Sequence, residues 1–388
     1  MRHILDKKIL IGKCYTDGVA NAFKELGYEV FNAEKEITRI SEKEIWDIAE
    51  RYKRAGVDYI FSLNFSEYMA KACNSYNIIY ISWVWDSPHV NLWSETARFD
   101  TNLIFLFDYA QYQIHKNRGL NNVYYLPIGV DCDLFKHMIV DKALVKRYET
   151  DVSFVGNLYN DEEHSLWDKV NYLPQYLKGY LDAIIYTHKN VWGSNLISAI
   201  GYGEWQLLKN YIKLEFSDSF EDGAYEVAMS NIITQKIAQI ERMDLCSILN
   251  DKYSFSLYTD CDTSFDDRIK TKGHANYVQD MPYIFNGSKV NINTTLKSIL
   301  TGIPLRALDI MACGGFLLTN YQLEIAEYFE NEKDMVFYED IGDMCEKIDY
   351  YMEHEEERKK IAFNGYEKTR KLFSLTRQIG IINDIINS

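Results

Sequence analysis

The stretch KVNINTTLKSILTGIPLRALDIMACGGFLLTNYQLEIAEYFE, residues 289–330, decides the fold class of this chain. Within it, Pro304 predicts the first turn of a helix, because a missing N–H group leaves nothing unsatisfied there. The pair Gly314-Gly315 predicts the end of that helix. The apolar run 316–320 predicts a buried strand directly after it. A helix that leads through a short turn into a buried strand is typical of α/β proteins with a parallel sheet.

The amino end of this helix is a candidate anion site. Free N–H groups at the positive end of a helix bind phosphate, and here they would belong to Gly302, Ile303 and Leu305. Arg306 adds a positive charge that can fork onto a phosphate. Asp309 lies three residues further on the same helix face, where its carboxylate suits ribose hydroxyls. The pattern fits a nucleoside diphosphate, and it equally fits an ordinary capped helix of an α/β domain.

Three segments resemble the carboxyl-terminal signature of the CgeB-like (spore-maturation-type) glycosyltransferases, a branch of the group-1 GT-B superfamily. They are NINTTLKSILTGIPLRALDIMACGGFLLTNYQLEIAEYF at 291–329, MVFY at 335–338 and HEEERKKIAFNGYEKTRKLFS at 354–374. Two further segments, WVWDSPH at 83–89 and FLFD at 105–108, resemble the amino-terminal domain of the same family.

This resemblance implies an α/β, GT-B-like fold, with two Rossmann-type domains facing across a cleft and a helical insertion in the second. It also implies transfer of a sugar from a nucleoside-diphosphate sugar, a UDP-sugar, to a glycan or protein acceptor, with no cofactor beyond the donor and no metal. The resemblance has one gap. Many group-1 enzymes carry two Glu separated by seven residues, and here the two places hold Thr301 and Asp309. The role of the first acid and the stereochemical outcome therefore stay open.

The order of apolar runs predicts where the two domains lie. Runs alternating with helical patterns predict six strands of a doubly wound sheet, at 8–14, 28–31, 59–63, 78–85, 102–107 and 123–127. We expect an acceptor-side domain at 1–140, and a nucleotide-sugar domain at 150–372 with a helical insertion at 160–250. As in GT-B proteins, the last helix, 373–388, is expected to pack back on the first domain.

Candidate residues in the first domain follow its predicted strands, because ligands of such sheets bind at the carboxyl ends of the strands. Asp86 and His89 share one loop and suit general base catalysis or the orientation of an acceptor hydroxyl. Asp17 is a weaker candidate for the same role. In the alternative interpretation Asp86 caps a turn, His89 is a solvated loop residue and Asp17 caps a helix.

Candidate residues in the second domain surround the predicted helix. Gly156 would let the backbone approach a ligand, Tyr277 would stack on the base, and Glu324 would contact the donor sugar. Asn157 belongs to the same loop as Gly156, which by resemblance to GT-B enzymes would face the sugar and phosphates of the donor. Thr294 and Lys297 would lie at the rim of the pocket. Each has a plainer alternative: a turn glycine, a packed tyrosine, or an acid that stabilises a helix through its dipole.

Composition excludes several classes of partner. The net charge of −15 argues against a nucleic acid as partner and leaves a local basic pocket open. Seven scattered cysteines without a CxxC pair, and no apolar run of membrane-spanning length, predict a cytoplasmic protein without a membrane span. Asp260 and Asp262 have a metal-motif spacing, but such spacings are frequent in an acidic chain, so we predict no metal site. The oligomeric state, and the alternatives of a non-catalytic scaffold or a nucleotide-sugar epimerase, stay open.

Overall fold

The structure is a computed structural model that describes residues 7–138, 141–160, 167, 170, 172–191 and 195–388. The chain folds into two compact units. Unit 1 comprises the chain up to Gly129 together with Glu215–Ala228 and Leu375–Ser388, and unit 2 comprises Val130–Leu214 and Met229–Ser374. Among the described residues, no helix is both long enough and apolar enough to cross a membrane.

Unit 1 is built on one parallel sheet. Its strands are β1 (Lys8–Ile11), β2 (Glu29–Asn32), β3 (Tyr59–Leu63), β4 (Ile79–Val84), β5 (Asn102–Leu106) and β6 (Val123–Tyr125). Its first helices are α1 (Gly18–Glu25), α2 (Glu42–Arg54), α3 (Glu67–Tyr76) and α4 (Tyr109–Asn117). The strands lie in the order β2-β1-β3-β4-β5-β6, which confirms the predicted doubly wound sheet.

The apolar strands of unit 1 are buried on both faces of the sheet. Along β1, Ile9 and Ile11 pack into one core cluster while Leu10 packs into another on the opposite face. The neighbouring Ile60 and Phe61 of β3 divide between the same two clusters. This two-sided burial explains why the strands read as continuous apolar runs rather than as alternating patterns.

Unit 2 contains a second parallel sheet. Its strands are β7 (Thr150–Val155), β8 (Phe255–Tyr258), β9 (Ser288–Asn293), β10 (Leu317–Asn320) and β11 (Val336–Tyr338). The helices along this part of the chain are α5 (Cys132–Met138), α6 (Lys142–Arg147), α7 (Gln175–Lys189), α8 (Tyr202–Tyr211), α9 (Ala224–Lys252), α10 (Met281–Gly287), α11 (Leu305–Ala312), α12 (Leu323–Tyr328), α13 (Ile341–Glu353) and α14 (Glu355–Phe373). The strand order is β11-β10-β9-β7-β8. The order reverses between β7 and β9, so a ligand is expected at their carboxyl ends.

The region expected to be a helical insertion, 160–250, contains α7, α8 and most of α9 in its described part. Residues 161–166, 168–169, 171 and 192–194 of that region lie outside the described residues. The final helix, α15 (Leu375–Ile386), belongs to unit 1 and packs against α1. Leu375, Ile379 and Ile382 place its buried face in the core cluster that also contains Ile9.

The segment Glu215–Ala228 completes unit 1, although it comes from the second half of the sequence. Phe220 forms an antiparallel bridge with Ser94. The carboxylate of Glu221 accepts hydrogen bonds from Arg98 at 2.6 and 3.1 Å and from Arg118 at 2.8 Å. These bonds hold the pKa of Glu221 below its usual value, with the bond from Arg98 as the largest cause. The segment is therefore held to unit 1 by a partly buried ion network.

Replacing Glu221 with alanine is expected to destabilise unit 1 by about 1.5–3 kcal/mol, the range for hydrogen bonds to charged groups. The two arginines would lose their shared carboxylate, and Arg118 is only 15% exposed. Chemical denaturation measures the change. Glu95→Ala is the matched control, because Glu95 is an exposed acid in the same region whose side chain forms no hydrogen bond or ion pair in the described structure and acts on Arg98 only at longer range. Equal stability of the two variants would contradict the stabilising role of the network.

Candidate functional site

The helix that the sequence predicts around residue 305 is α11, and it begins at Leu305. Pro304 precedes the helix in an extended conformation, with ψ of 144°, so its predicted place in the first turn is wrong by one residue. Proline readily adopts an extended backbone conformation, which accounts for the shift of one residue. The N–H groups of Gly302 and Ile303 consequently lie before the helix and do not belong to its positive end. Those of Leu305 and Arg306 do, and they have no acceptor among the described residues.

The carboxyl end of α11 agrees with the prediction. Gly314 has a left-handed φ of +70°, and the N–H of Gly315 donates to the carbonyl oxygen of Ile310 at 2.9 Å. A Cβ on Gly315 would lie 2.6 Å from the carbonyl oxygen of Phe285, so only glycine fits there. The turn delivers the chain into β10, the buried strand predicted at 316–320.

Asp309 lies in the interior of unit 2, only 1% exposed. Its Oδ1 accepts a hydrogen bond from the Tyr277 hydroxyl at 2.7 Å, and its Oδ2 lies 3.3 Å from Nη1 of Arg306. Burial raises the pKa of this carboxyl to about 6, although Arg306 and Tyr277 oppose the rise. Each oxygen thus has a protein partner, and these contacts fix Arg306 and Tyr277. Contact of Asp309 with ribose stays a prediction. The side chain is one methylene shorter than the Glu of the group-1 pattern, which keeps it close to its own helix.

Arg306 is the positively charged residue of this cluster, and some of its guanidinium N–H groups are available to a ligand. Its side chain is 26% exposed, and its guanidinium lies 5.4 Å from the ring of Phe285. Its Nη1 contacts Asp309 and the sulfur of Met281. Nε and Nη2 have no partner within the described residues, so one edge of the guanidinium can form the paired hydrogen bonds that arginine makes with phosphate.

The loops after β7 and β9 meet at Arg242 of α9. Its Nη1 donates to the carbonyl oxygen of Asn157 at 2.5 Å and its Nη2 to that of Thr294 at 2.9 Å. A Cβ on Gly156 would lie 3.7 Å from the same guanidinium. Sequence reasoning missed Arg242, although a signal was present: this charged residue occupies a position on the buried face of α9, in register with Leu245, Cys246 and Leu249. Arg242 therefore joins the two loops at the reversal point of the sheet.

Lys297 and Thr294 are interior residues, which corrects their expected place at the rim of a pocket. Lys297 Nζ lies 3.3 Å from Oε1 of Glu241 and donates to the carbonyl oxygen of Val191 at 2.9 Å. Burial lowers the pKa of Lys297 to about 8 and raises that of Glu241 to about 7. Thr294 is 4% exposed and its hydroxyl bonds with that of Tyr338. Both side chains hold the loop after β9 in place.

Glu324 is bonded to Thr301, the residue at the place of the missing first acid. Its Oε1 accepts from the Thr301 hydroxyl at 2.7 Å, and its N–H donates to the Thr301 carbonyl oxygen at 3.0 Å. Glu324 is 2% exposed, so it is a buried group and not a free acid at the start of α12. The structure thus brings a carboxylate to within hydrogen-bonding distance of position 301 from another part of the chain.

The acidic pair Asp260 and Asp262 does not converge on one point. Asp260 pairs with Nδ1 of His274 at 2.6 Å, while Asp262 accepts from the backbone N–H of Ser264. Among the described residues, no cluster of three or more His, Cys, Asp or Glu has a geometry suited to a metal ion.

In unit 1, Asn64 holds the loop that carries the two main catalytic candidates. Its Oδ1 accepts from the N–H groups of Trp85 and Asp86, at 2.8 and 3.1 Å, and its Nδ2 donates to Oδ2 of Asp86 at 2.8 Å. Asn64 itself has a left-handed φ of +60°, which asparagine tolerates better than most residues. Asp86 remains 65% exposed. The Asp86 carboxylate therefore bonds with Asn64 instead of capping a turn, which was the alternative interpretation of the sequence.

His89 has a defined tautomer. Its Nε2 lies 2.8 Å from the carbonyl oxygen of Phe65, which can only accept, so Nε2 carries the proton. Nδ1 then holds a lone pair, and it lies 3.8 Å from Oδ2 of Asp86, beyond hydrogen-bonding distance. The side chain is 12% exposed, so the alternative of a solvated loop residue is wrong. Burial lowers the pKa of His89, against the opposing effect of Asp86.

Asp17 precedes α1, as expected, but its side chain makes no capping hydrogen bond. It is exposed, at the end of the loop that follows β1. The ring of Tyr15 in that loop stacks on Trp85, with centroids 5.9 Å apart. The loops after β1 and β4 are therefore adjacent, and Asp17 belongs to the same edge of the sheet as Asp86.

Two parallel α/β sheets with these strand orders define a GT-B fold with two Rossmann-like domains, and solved structures agree. An Anabaena protein, Alr3699/HepE, crystallised with UDP and glucose, aligns over 98% of this chain and 99% of its own with a TM-score of 0.51 and 11% identity. A glycosyltransferase from Rickettsia africae aligns over 98% and 97%, with a TM-score of 0.52 and 12% identity.

Part of the sequence matches a family model. Residues 242–382 fit the family model described as glycosyl transferase-like. That range begins at Arg242 and includes the whole of α11. No curated protein sequence matches the chain significantly.

Proposed function

We propose that this protein is a metal-independent glycosyltransferase of the hexosyltransferase type. It would transfer a sugar from a nucleoside-diphosphate sugar, a UDP-sugar, to a glycan or protein acceptor, as the CgeB-like resemblance implies. The observation that carries the proposal is the unpartnered guanidinium edge of Arg306, among the described residues, beside the free N–H groups at the start of α11. Together they form a fixed positive site for a diphosphate at the carboxyl edge of a Rossmann-like sheet.

The proposed chemistry is electrostatic stabilisation of the leaving group. When the sugar–phosphate bond breaks, negative charge develops on the nucleoside diphosphate. Arg306 and the amino end of α11 would stabilise that charge without reorganising, because Asp309 and the packing against Phe285 already hold the guanidinium. Fixed positive charge of this kind would take the place of a metal ion. The crystallisation of Alr3699/HepE with UDP-glucose supports a uridine donor for this fold.

Different roles follow for the other residues of unit 2. Asp309 would hold Arg306 and contact the ribose of the donor, and Arg242 would position the strand-end loops. Gly156 and Asn157 would line the diphosphate, since they follow β7 at the reversal of the strand order. Thr301, which is half-buried, would contact the donor sugar, and the buried Glu324 would orient its hydroxyl in place of the first acid of the group-1 pattern. In unit 1, His89 would accept the proton of the acceptor hydroxyl, and Asp86 would orient that hydroxyl, with Asp17 beside it.

A non-catalytic binding protein with the same fold is the second candidate, and two observations favour it. Thr301 replaces an acid of the superfamily pattern, and both oxygens of Asp309 are bonded within the protein. A protein that has lost catalysis would tolerate both changes.

A donor panel tests the proposal. The purified chain is incubated with UDP-, GDP- and dTDP-sugars, and thermal stability and release of the nucleoside diphosphate are measured together. We expect UDP at 100 times its dissociation constant to add about 2.7 kcal/mol of stability. We also expect one UDP-sugar to release UDP when acceptors are added. Stabilisation without turnover of any donor would favour the non-catalytic candidate, and no stabilisation by any nucleoside diphosphate would refute the proposed site.

A further inference from the structure

A cleft of about 590 Å³ lies in unit 2 at the amino edge of its sheet, and we name it the amino-edge cleft. Its walls include the start of β7 at Thr150, the start of β9 at Ser288 and the first turns of α14. Polar and charged residues of its walls include Glu149, Asp151, Ser254, Lys289, Arg358 and Lys359. Because β7 and β9 have six residues each, roughly 20 Å of strand separates this cleft from the proposed donor site at the carboxyl edge. Its volume is in the range of small-molecule sites.

Most charges around the cleft are paired. Lys289 Nζ lies 2.7 Å from Oδ1 of Asp151, and Lys359 Nζ lies 2.5 Å from Oε1 of Glu355. In each pair the two charges neutralise each other, so the pairs line the wall with polar groups and leave no net charge.

Arg358 is the exception among the cations of the cleft. It is only 7% exposed, and in the described part of the chain its one side-chain hydrogen bond runs from Nη1 to the carbonyl oxygen of Tyr351. Within the described residues it has no carboxylate partner, and Nε and Nη2 make no hydrogen bond. Burial lowers the pKa of Arg358, against the more distant charges of Glu355 and Asp151, yet an arginine stays protonated at any physiological pH. Nε and Nη2 are not among the buried side-chain atoms that lack a partner, so they are accessible from the cleft, where an anion could replace the water bound to them.

Glu149 is a negatively charged group in the same cleft and complements the positive charge of Arg358. Its carboxylate is exposed at the wall and has no side-chain partner in the described structure. A carboxylate accepts hydrogen bonds and donates none, so it suits hydroxyl groups. The cleft therefore offers one buried site for an oxyanion and one exposed site for hydroxyls.

We propose that the amino-edge cleft binds a small phosphorylated sugar or polyol, with its phosphate on Nε and Nη2 of Arg358 and its hydroxyls toward Glu149. A guanidinium edge forms two parallel hydrogen bonds with a phosphate, which satisfies the donors that the protein leaves unused. This is a second ligand site, separate from the proposed donor site and independent of the proposed glycosyl transfer.

Isothermal titration calorimetry with glucose 1-phosphate as the probe tests this inference. We expect binding by the wild-type chain and at least a tenfold weaker affinity for Arg358→Gln, which keeps an amide to bond with Tyr351 but removes the charge. Arg370→Gln is the matched control, because Arg370 is an exposed arginine on the same helix. It should bind as the wild type does. Equal affinity of Arg358→Gln and the wild type, or no binding by the wild type, would overturn the inference.

Two further variants distinguish the amino-edge cleft from the proposed donor site. Arg306→Ala should keep its affinity for glucose 1-phosphate. If Arg306→Ala lost this binding while Arg358→Gln retained it, the probe would bind in the donor site and the inference would be overturned. Ser254→Trp adds a bulky ring at an exposed position of the wall, so it should block the cleft even if Arg358→Gln fails to fold. Unchanged binding by a folded Ser254→Trp would also refute the proposal.

Discussion

Replacing Arg306 with alanine is expected to weaken the binding of UDP by about 10- to 100-fold. A hydrogen bond to a charged group contributes about 1.5–3 kcal/mol, and each 1.4 kcal/mol is a factor of ten in affinity. The guanidinium offers two unused N–H groups on one edge, so the loss should lie in the upper part of that range. Calorimetric titration of UDP into both chains measures it, and circular dichroism checks that the variant is folded.

Two further variants serve as comparisons in this experiment. Arg370→Ala removes an exposed arginine from the same unit and should leave the UDP affinity unchanged. Asp309→Asn keeps the Arg306 cation but removes the carboxylate that holds it at 3.3 Å. The lost positioning weakens UDP binding and the lost negative charge strengthens it, so the net change should be smaller than in Arg306→Ala. If Arg306→Ala binds UDP as tightly as the parent chain, the diphosphate site does not lie at the start of α11.

Patterns that depend on neighbouring residues alone were predictable from the sequence. The strand at 59–63 matches β3 in the structure, and the left-handed Gly314 ends α11 where the glycine pair predicted it. Both features follow from local chemistry: a buried parallel strand needs a continuous apolar run, and a left-handed residue favours glycine. The strand predicted at 8–14 ends at Ile11, because the residues after Ile11 form the loop that leads to α1.

Features that depend on distant partners were not predictable. Lys297 was expected at the rim of a pocket, but Glu241 lies more than fifty positions earlier in the sequence and draws it into the interior. Asp309 is predicted to contact ribose, and its hydrogen bond with Tyr277, which arrives from another loop, was not predictable from the sequence. The sequence shows which hydrogen bonds a polar side chain can form. Only the fold decides whether the protein or a ligand forms them. Candidate sites inferred from spacing alone therefore miss the protein partners of their polar residues.

Replacing His89 with glutamine is expected to lower kcat of sugar transfer by about 10²- to 10⁴-fold, the usual contribution of a general base. Glutamine retains an N–H that can donate to the carbonyl oxygen of Phe65, but it has no basic nitrogen in place of Nδ1. Binding of UDP should not change, because the proposed diphosphate site belongs to unit 2 and His89 belongs to unit 1. Release of UDP from the active donor, with saturating acceptor, provides the rate.

The pH dependence distinguishes a base from a merely structural histidine. A base must be unprotonated, so activity is lost as the pH falls through the pKa of His89. Burial lowers that pKa below its ordinary value of 6.5, and the acid limb of kcat/KM should therefore lie below pH 6.5 in the wild type. The limb should vanish in His89→Gln and persist in His354→Gln, a control at an exposed histidine. If His89→Gln kept the wild-type rate and acid limb, the proton of the acceptor would be taken by another group, and Asp86, exposed on the same loop, would be the next residue to test.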